Sequence, residues 1–222
     1  MAGPAPGVAQ FLPFAVPGRI NIVVAGGTGS GKTTPRNVIA RFIHHKQRVI
    51  TIEDAAELRI DHPHVIALEH LPASPEGKGE LTIRQLLRNS LRMSPDRILV
   101  GELSGAEALD MVQAMNRHEG SMSTIESNSP RDALSRLETM VMMASSGMPI
   151  EAVRAQIALA VNLIVQQARM PDGRRKIVQS AEAVGYDSNG WLRRDIFLPG
   201  IDPDPPLQSR QPRCEPQPLD TA

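Results

Sequence analysis

A glycine-rich loop near the start of the chain carries the residues best suited to chemistry: Gly26-Gly27-Thr28-Gly29-Ser30-Gly31-Lys32-Thr33. Its spacing, a glycine, four residues and then Gly-Lys-Thr, is that of a phosphate-binding loop. The glycines allow backbone N–H groups to turn inward around a polyphosphate, Lys32 can reach the β- and γ-phosphates, and the Thr33 hydroxyl can ligate Mg²⁺. The sequence therefore predicts a nucleotide site whose binding residues are Gly27, Thr28, Gly29, Ser30, Gly31, Lys32, Thr33 and Thr34.

The flanking sequence places this loop between a strand and a helix. Residues 20–25 form a short apolar, β-branched run that is typical of a buried strand, and the chain after Thr33 favours a helix. The positive end of that helix would face the phosphates. A glycine-rich turn that binds nothing is the alternative, but it leaves the Lys-Thr pair unexplained.

Two other predicted strands, 48–52 and 96–101, run directly into acidic residues. Because ligands bind beyond the carboxyl ends of the strands in open parallel sheets, we expect these carboxylates near the phosphate loop. A triphosphate site needs such groups to hold Mg²⁺ and to position the attacking water. The four carboxylates are Glu53, Asp54, Glu57 and Glu102. For Glu53, Asp54 and Glu57, the alternative is that they cap the next element.

Apolar runs and helical patterns alternate along the chain, which predicts an α/β fold with a mainly parallel sheet flanked by helices. Further strands are predicted near 64–69 and 121–126, and helices near 33–45, 82–92, 105–116, 131–144 and after Pro149. Extended runs separated by Pro-Asp-Gly and Asn-Gly turns predict a small antiparallel unit at the carboxyl end. These runs are Leu163–Met170, Lys176–Val184 and Trp191–Leu198.

Composition limits the class of protein. The chain has 222 residues, of which 41% are hydrophobic, enough for one domain with a substantial core. Lys+Arg and Asp+Glu are balanced at 24 each, so there is no electrostatic reason to expect nucleic acid as a direct partner. No apolar run has the length of a membrane span, and the N-terminus does not read as a signal peptide. The single cysteine, Cys214, fits a reducing cytosol, so we expect a cytoplasmic protein.

Four motifs stand in a fixed order: residues 26–34, 51–58, 89–102 and 127–140. Together they resemble the motor domain of type II/type IV secretion ATPases, and within that group the Tad/Flp pilus assembly ATPases, often called CpaF-like. The resemblance runs from about Val8 to Leu198. It implies a RecA-like P-loop NTPase domain at 19–198, with an N-terminal remnant or linker at 1–18 and a disordered, proline-rich tail at 199–222. It also implies a hexameric, homo-oligomeric ring that hydrolyses ATP with Mg²⁺ to drive secretion or pilus assembly, in contact with platform proteins at the inner membrane.

The resemblance also implies individual roles. Glu102 falls at the Walker B glutamate, the general base or water-positioning group, and His118 falls at the first histidine of a histidine box, which would contact the nucleotide. Glu53, Asp54 and Glu57 fall in an aspartate box. We therefore expect Glu102, Glu57 and Glu53 to serve catalysis, and Thr33, Glu53 and Asp54 to hold Mg²⁺.

The chain also departs from the pattern of that family. Ser104 stands where the family has an arginine, Glu126 stands at the second histidine of the histidine box, and Pro35 biases Thr34 away from helical angles. Both Ser104 and Glu126 predict slow turnover, since positioned cations stabilise the charge that develops on the phosphoryl group. They favour an alternative, a degenerate paralogue that binds nucleotide without efficient turnover. A different P-loop enzyme, such as a small-molecule kinase, is disfavoured because no acceptor-binding or lid segment is evident.

Two further expectations concern assembly. Members of the family carry an N-terminal domain that closes over the nucleotide, whereas this chain starts almost at the phosphate loop. We therefore expect the chain alone to form rings poorly, and a full-length homologue to complete its site in a mixed ring. Three arginines spaced four apart, on either a solvated face or a subunit interface, are Arg84, Arg88 and Arg92.

Overall fold

The computed structural model describes residues 6–145, 147–188 and 190–197, which form one eight-stranded sheet covered by helices. The strands are β1 (Ile22–Gly26), β2 (Val49–Glu53), β3 (Val65–Glu69), β4 (Arg97–Leu103), β5 (Met122–Glu126), β6 (Leu163–Arg169), β7 (Arg175–Asp187) and β8 (Gly190–Phe197). The helices are α1 (Pro6–Ala15), α2 (Thr33–Ala40), α3 (Ile83–Ser90), α4 (Glu107–Met115), α5 (Pro130–Ala144) and α6 (Ile150–Ala160). Among these described residues, every helix is too short or too polar to traverse a lipid bilayer.

The strand order is β3-β2-β4-β5-β1-β6-β7-β8. All pairs from β3 to β6 are parallel, and β7 and β8 add on in antiparallel fashion. The predicted α/β class with a mainly parallel sheet is therefore confirmed. The predicted antiparallel unit at the carboxyl end is also confirmed: it consists of β6, β7 and β8, and the parallel pairing of β6 with β1 joins it to the main sheet.

Alternation of side chains along β1 gives the sheet two hydrophobic cores. Val23 and Ala25 lie in a first core with side chains of α3, α4, α5 and α6, while Ile22 and Val24 lie in a second core with side chains of α1 and α2. All five residues of β1 are buried, as expected for a strand covered on both faces. The strand that leads into the phosphate loop is thus held on both edges and on both faces.

Helix starts follow the local sequence signals. Thr82 caps α3 through a capping box with Gln85, and Ser129 caps α5, whose first residue is Pro130. Helix α2 ends at Ala40, several residues earlier than predicted, and residues 41–43 continue it as turns. The proline-rich segment at 199–222 lies outside the described residues.

The segment that we treated as an N-terminal remnant contains α1, a helix that the sequence analysis did not predict. Leu12 and Val16 pack into the second core. The buried Arg97 holds the end of this helix, since its guanidinium donates to the carbonyls of Val16 (2.6 Å) and Gly120 (3.1 Å) and to Gln47 Oε1 (2.6 Å). Burial lowers the pKa of Arg97 to about 10, so the side chain is still charged at neutral pH.

We expect Arg97→Ala to lower the free energy of unfolding by about 3 kcal/mol, because two buried carbonyls lose their donor and a cavity opens beneath α1. Urea denaturation followed by circular dichroism measures the change. Arg92→Ala is the matched control, since Arg92 is exposed. Equal stability of the two variants would show that Arg97 does not hold α1.

Candidate nucleotide site at the carboxyl edge of the sheet

The register of the sheet brings three strand ends to the phosphate loop. Gly26, the last residue of β1, pairs with Glu126 of β5 on one side and with Gln167 of β6 on the other. Glu102 of β4 pairs with Thr124 of β5, one strand further away. The carboxyl-end rule used in the sequence analysis therefore holds for the loop and for β4.

Side chains of β6 and β7 fix the outer surface of the loop. Gln167 Nε2 donates to the carbonyls of Ser30 (2.8 Å) and Gly31 (3.3 Å), and Arg175 Nε donates to the carbonyl of Gly29 (3.3 Å). Gly29 and Gly31 have φ angles of 70° and 86°, which glycine adopts without strain. Because the carbonyls point to these donors, the peptide N–H groups turn to the other side of the loop.

Several of those N–H groups have no partner. Within the described ranges, the backbone N–H groups of Gly29, Gly31, Lys32 and Thr33 donate to no acceptor. A Cβ built on Gly27 or Gly29 would meet no atom within 4 Å, so the space beside this part of the loop is open. Unpaired, converging N–H groups at the start of a helix form an anion-binding site. The loop thus has the donors and the room that a phosphate chain needs.

Lys32 and Glu102 meet at this loop. Lys32 Nζ lies 3.2 Å from the carbonyl of Gly26 and 3.2 Å from Glu102 Oε1. The Lys32 side chain is 11% exposed and the Glu102 side chain 49% exposed, so the lysine is held at the loop while the carboxylate reaches the open space. Pairing of β4 with β5 shifts between Leu99 and Glu102, and such an irregularity re-aims a side chain. The structure therefore brings Glu102 to the loop, and its role in activating water stays a prediction.

Thr33 and Glu57 also meet. Thr33 Oγ1 donates to Glu57 Oε2 over 2.9 Å, which places a hydroxyl and a carboxylate beside the first turn of α2. Mg²⁺ prefers such oxygen ligands and is usually held by one or two protein groups together with substrate phosphates. No cluster of three or more His, Cys, Asp or Glu side chains suited to a metal occurs among the described residues. Thr33 and Glu57 therefore fit a Mg²⁺ ion that nucleotide phosphates help to bind.

Glu53 has a different partner from the one predicted. It lies 3.0 Å from the buried Arg36 Nη2, and both its oxygens accept the N–H of Leu58 at 3.2 Å. Arg36 in turn donates to the carbonyl of Val100 on β4 (2.9 Å). Burial lowers the pKa of Arg36, an effect opposed by the charge of Glu53. Because Glu53 is paired with Arg36, it holds α2 against β2 and β4 rather than contacting Thr33.

Asp54 and His118 are not brought to the loop. Asp54 lies just beyond the end of β2. It is 85% exposed and pairs with His70 Nδ1 at 2.8 Å. His118 lies between α4 and β5, at the amino ends of the parallel strands, where its carbonyl accepts the Ser121 hydroxyl (2.7 Å). Nothing in the geometry of a single chain supports their predicted roles in holding Mg²⁺ and nucleotide.

Glu126 lies against the loop instead. Its carboxylate accepts a hydrogen bond from the Thr28 hydroxyl. That hydrogen bond lowers the pKa of Glu126, and the charges of Lys32 and Arg136 act in the same direction. The site thus gathers three carboxylates, those of Glu57, Glu102 and Glu126, around one lysine. An incoming phosphate chain would meet this negative charge.

The predicted arginine stripe lies away from the loop. Arg84 and Arg88 of α3 both bind the buried Asp110 of α4, at 2.5 Å and 2.7 Å, and Arg92 is exposed. The first two arginines therefore hold two neighbouring helices together.

Three residues of the site were missed by the sequence analysis. Arg36 could have been found one turn after Lys32, on the face of α2 that meets the sheet. Gln167 and Arg175 carried no local signal, because their contact with the loop depends on the pairing of β6 with β1 and of β7 with β6.

Strand, phosphate loop and helix in this arrangement, with a carboxylate delivered from a second strand, define a P-loop nucleotide-binding domain. Residues 5–190 match the family model described as "Type II/IV secretion system protein", and the chain belongs to this family. The family indicated by the four motifs is thereby confirmed.

Two relatives illustrate the match. A putative conjugal transfer protein of Mycobacterium tuberculosis is 40% identical over 177 residues, which cover 79% of this chain and 50% of that protein. The type IV secretion system protein PtlH of Bordetella pertussis is 39% identical over 177 residues, covering 76% of this chain and 52% of PtlH. The chain spans about half the length of these curated relatives.

Solved structures agree. The VirB11 ATPase of the Brucella suis type IV secretion system, in complex with sulphate, superposes with a TM-score of 0.70 at 36% identity, over 79% of this chain and 52% of that one. The Legionella pneumophila ATPase DotB superposes with a TM-score of 0.59 at 22% identity, over 78% of this chain and 47% of that one, and shows a shared fold.

We expect Glu126→Gln to raise the affinity for ADP in the absence of Mg²⁺ by about fivefold, because one negative charge beside the phosphates is removed. Titration with a fluorescent ADP analogue, with and without Mg²⁺, measures the change. Glu119→Gln removes an exposed carboxylate at the opposite edge of the sheet and should have no effect. Unchanged affinity of the Glu126 variant would place its carboxylate away from the phosphates.

Proposed function

We propose that the chain is the ATP-binding motor domain of a secretion or pilus-assembly ATPase, which hydrolyses ATP to drive secretion or pilus assembly. The observation that carries this proposal is the contact of Lys32 with both the phosphate loop and Glu102. A cation and a carboxylate that meet at one open loop support the binding of phosphates by Lys32 and the positioning of water by Glu102. The likeness to VirB11, a 36% identical ATPase, supports the same function.

Binding of ATP begins with the unpaired N–H groups of the loop, which donate to phosphate oxygens. Lys32 then exchanges its contact with Glu102 for the β- and γ-phosphates. This exchange frees the Glu102 carboxylate to orient a water molecule and to accept its proton as the water oxygen attacks the γ-phosphorus. The bond between the γ-phosphorus and the bridging β–γ oxygen breaks in the same step, so that ADP leaves with that oxygen and inorganic phosphate is released. Thr33 and Glu57 would hold Mg²⁺, which supplies charge neutralisation of the phosphates.

The domain acts as a subunit of a homo-oligomeric, hexameric ring. It works in the cytoplasm at the inner membrane, with platform proteins of the secretion machinery as partners. The names of its relatives support this assignment, since they are conjugal transfer and type IV secretion system proteins. The order of the four motifs further supports a place near the Tad/Flp pilus assembly ATPases.

A second candidate is a chain that holds nucleotide without efficient turnover. One observation favours it: the Thr28 hydroxyl of the phosphate loop donates a hydrogen bond to Glu126. The contact between Lys32 and Glu102 favours the ATPase, because a chain without turnover needs no carboxylate at that position. Steady-state hydrolysis by the purified chain separates the two candidates.

Lys32→Ala should weaken the binding of Mg·ATP by about tenfold or more, because it removes the cation that meets the β- and γ-phosphates. Equilibrium titration with a fluorescent ATP analogue measures the loss. Lys46→Ala, a change at an exposed lysine before β2, serves as the control and should bind like the native chain. If Lys32→Ala binds equally well, the phosphate loop is not the nucleotide site.

Glu102→Gln should lower kcat by about 10² or more with little loss of affinity for Mg·ATP, since a carboxylate that accepts a proton from water acts mainly in the transition state. Phosphate release and ATP titration measure the two quantities. Asp54→Asn changes a neighbouring carboxylate that points away from the loop, and it should leave kcat unchanged. A Glu102 variant that retains native turnover would make this residue structural.

A further inference from the structure

The pairing of β4 with β5 contains one extra residue directly before Glu102. Leu99 pairs with Met122 and Glu102 pairs with Thr124, so three steps along β4 match two steps along β5. An extra residue of this kind is a β-bulge, which bends the strand that carries it. The strand that delivers the carboxylate is therefore irregular at the point where it delivers it.

The bulge decides which face of the sheet Glu102 reaches, because side chains alternate along a strand and an added residue turns all later ones over. Leu99 lies in the second core, on the face of α2, and Val100 lies in the first core. Strict alternation would place Glu102 on the same face as Val100, away from α2. It instead contacts Lys32, directly before α2, and Leu103 returns to the first core. The extra residue thus puts the carboxylate on the side of the phosphate loop.

Two side chains bind the carbonyls of the bulge. Thr124 Oγ1 donates to the Gly101 carbonyl at 2.8 Å. Arg36 Nη1 donates to the same carbonyl and, at 2.9 Å, to that of Val100. Both donors are buried, so these bonds are made out of water, where an unpaired carbonyl is costly. The peptide directly before Glu102 is therefore held by side chains of two other elements.

Thr124 lies between the strand of the phosphate loop and the strand of Glu102. It pairs with Val24 of β1 on one side and with Glu102 of β4 on the other. Residues that pair across a sheet share a face, and Val24 lies in the second core, so the Thr124 side chain is on the face of α2 as well. Its hydroxyl ties the bulge to the strand that adjoins the loop.

We propose that Thr124 is a positioning residue for hydrolysis, whose hydroxyl holds the Gly101 carbonyl in the bulge and so keeps the Glu102 carboxylate aimed at the phosphate loop. This inference rests on the proposed function of Glu102 in directing water. Because Thr124 is buried, it acts through Glu102 and not by contact with solvent. A carboxylate must stay within hydrogen-bond reach of its water, so a small displacement slows the reaction. The Thr124 hydroxyl should therefore matter for the rate and not for nucleotide binding.

Thr124 allows a cleaner test than the other donor to the bulge. Replacing Arg36 would leave the buried carboxylate of Glu53 without its partner, which destabilises the whole chain. Valine has nearly the shape of threonine but lacks the hydroxyl, whereas serine retains it. Ser123 offers a matched control on the same strand, since it is also buried and its hydroxyl bonds a carbonyl at 3.4 Å. Its side chain points to the opposite face of the sheet.

Thr124→Val should lower kcat by about tenfold, while affinity for Mg·ATP stays within about twofold of the native value. Phosphate release measures kcat, and titration with a fluorescent ATP analogue measures affinity. Thr124→Ser should recover most of kcat, and Ser123→Ala should retain it. In the Glu102→Gln background, Thr124→Val should cause no further loss, because both changes remove the same function.

A crystal structure of Thr124→Val adds a measurement that does not depend on turnover: the Glu102 carboxylate should no longer contact Lys32. The proposal is overturned by native kcat in Thr124→Val, by a further loss in the double variant, or by an unchanged contact between Glu102 and Lys32. The proposed function is tested separately, because it fails if Lys32→Ala binds Mg·ATP normally. If Glu102→Gln slows hydrolysis and Thr124→Val does not, only the role of Thr124 is wrong.

Discussion

The buried ion pair of Arg36 and Glu53 fixes the geometry on which the site depends. Both side chains are buried, so each charge is compensated only by its partner. Removing one partner of such a pair lowers the free energy of unfolding by about 3–5 kcal/mol. Arg36 belongs to the helix that follows the phosphate loop, Glu53 ends β2, and the carbonyl of Val100 on β4 accepts from the same guanidinium. One interaction therefore sets α2 against two strands, and with it the spacing of Thr33, Glu57 and Glu102.

The second constraint on the site is electrostatic. Three carboxylates and one lysine share the loop, and each carboxylate already has a partner: Thr33 for Glu57, Lys32 for Glu102 and Thr28 for Glu126. A phosphate chain can enter only by exchanging these partners or by bringing cations with it. A phosphate chain accompanied by a cation would meet less repulsion here than the free anion, since the cation offsets the charge of the carboxylates.

The sequence was sufficient for the parts of the site that obey local rules. The glycine spacing located the loop, and the position of Glu102 at the end of an apolar strand placed it correctly, because parallel strands end at one edge. Glu53 and Asp54 satisfied the same rule, yet Glu53 pairs with Arg36 and Asp54 with His70, partners that the rule could not predict. Gln167 and Arg175 lie more than 130 residues after the loop, and only the pairing of β6 and β7 brings them to it. Helix α1 was missed because the resemblance assigned residues 1–18 to a remnant or linker, whereas Leu12 and Val16 complete a core.

The position of β1 in the sheet also has a consequence for local motion. This strand has four neighbours on one side and three on the other, and all of its residues are buried. Its amide protons can exchange with solvent only when the whole sheet opens, whereas those of the edge strands β3 and β8 exchange through local fraying. The loop is thus attached to the slowest-exchanging part of the molecule.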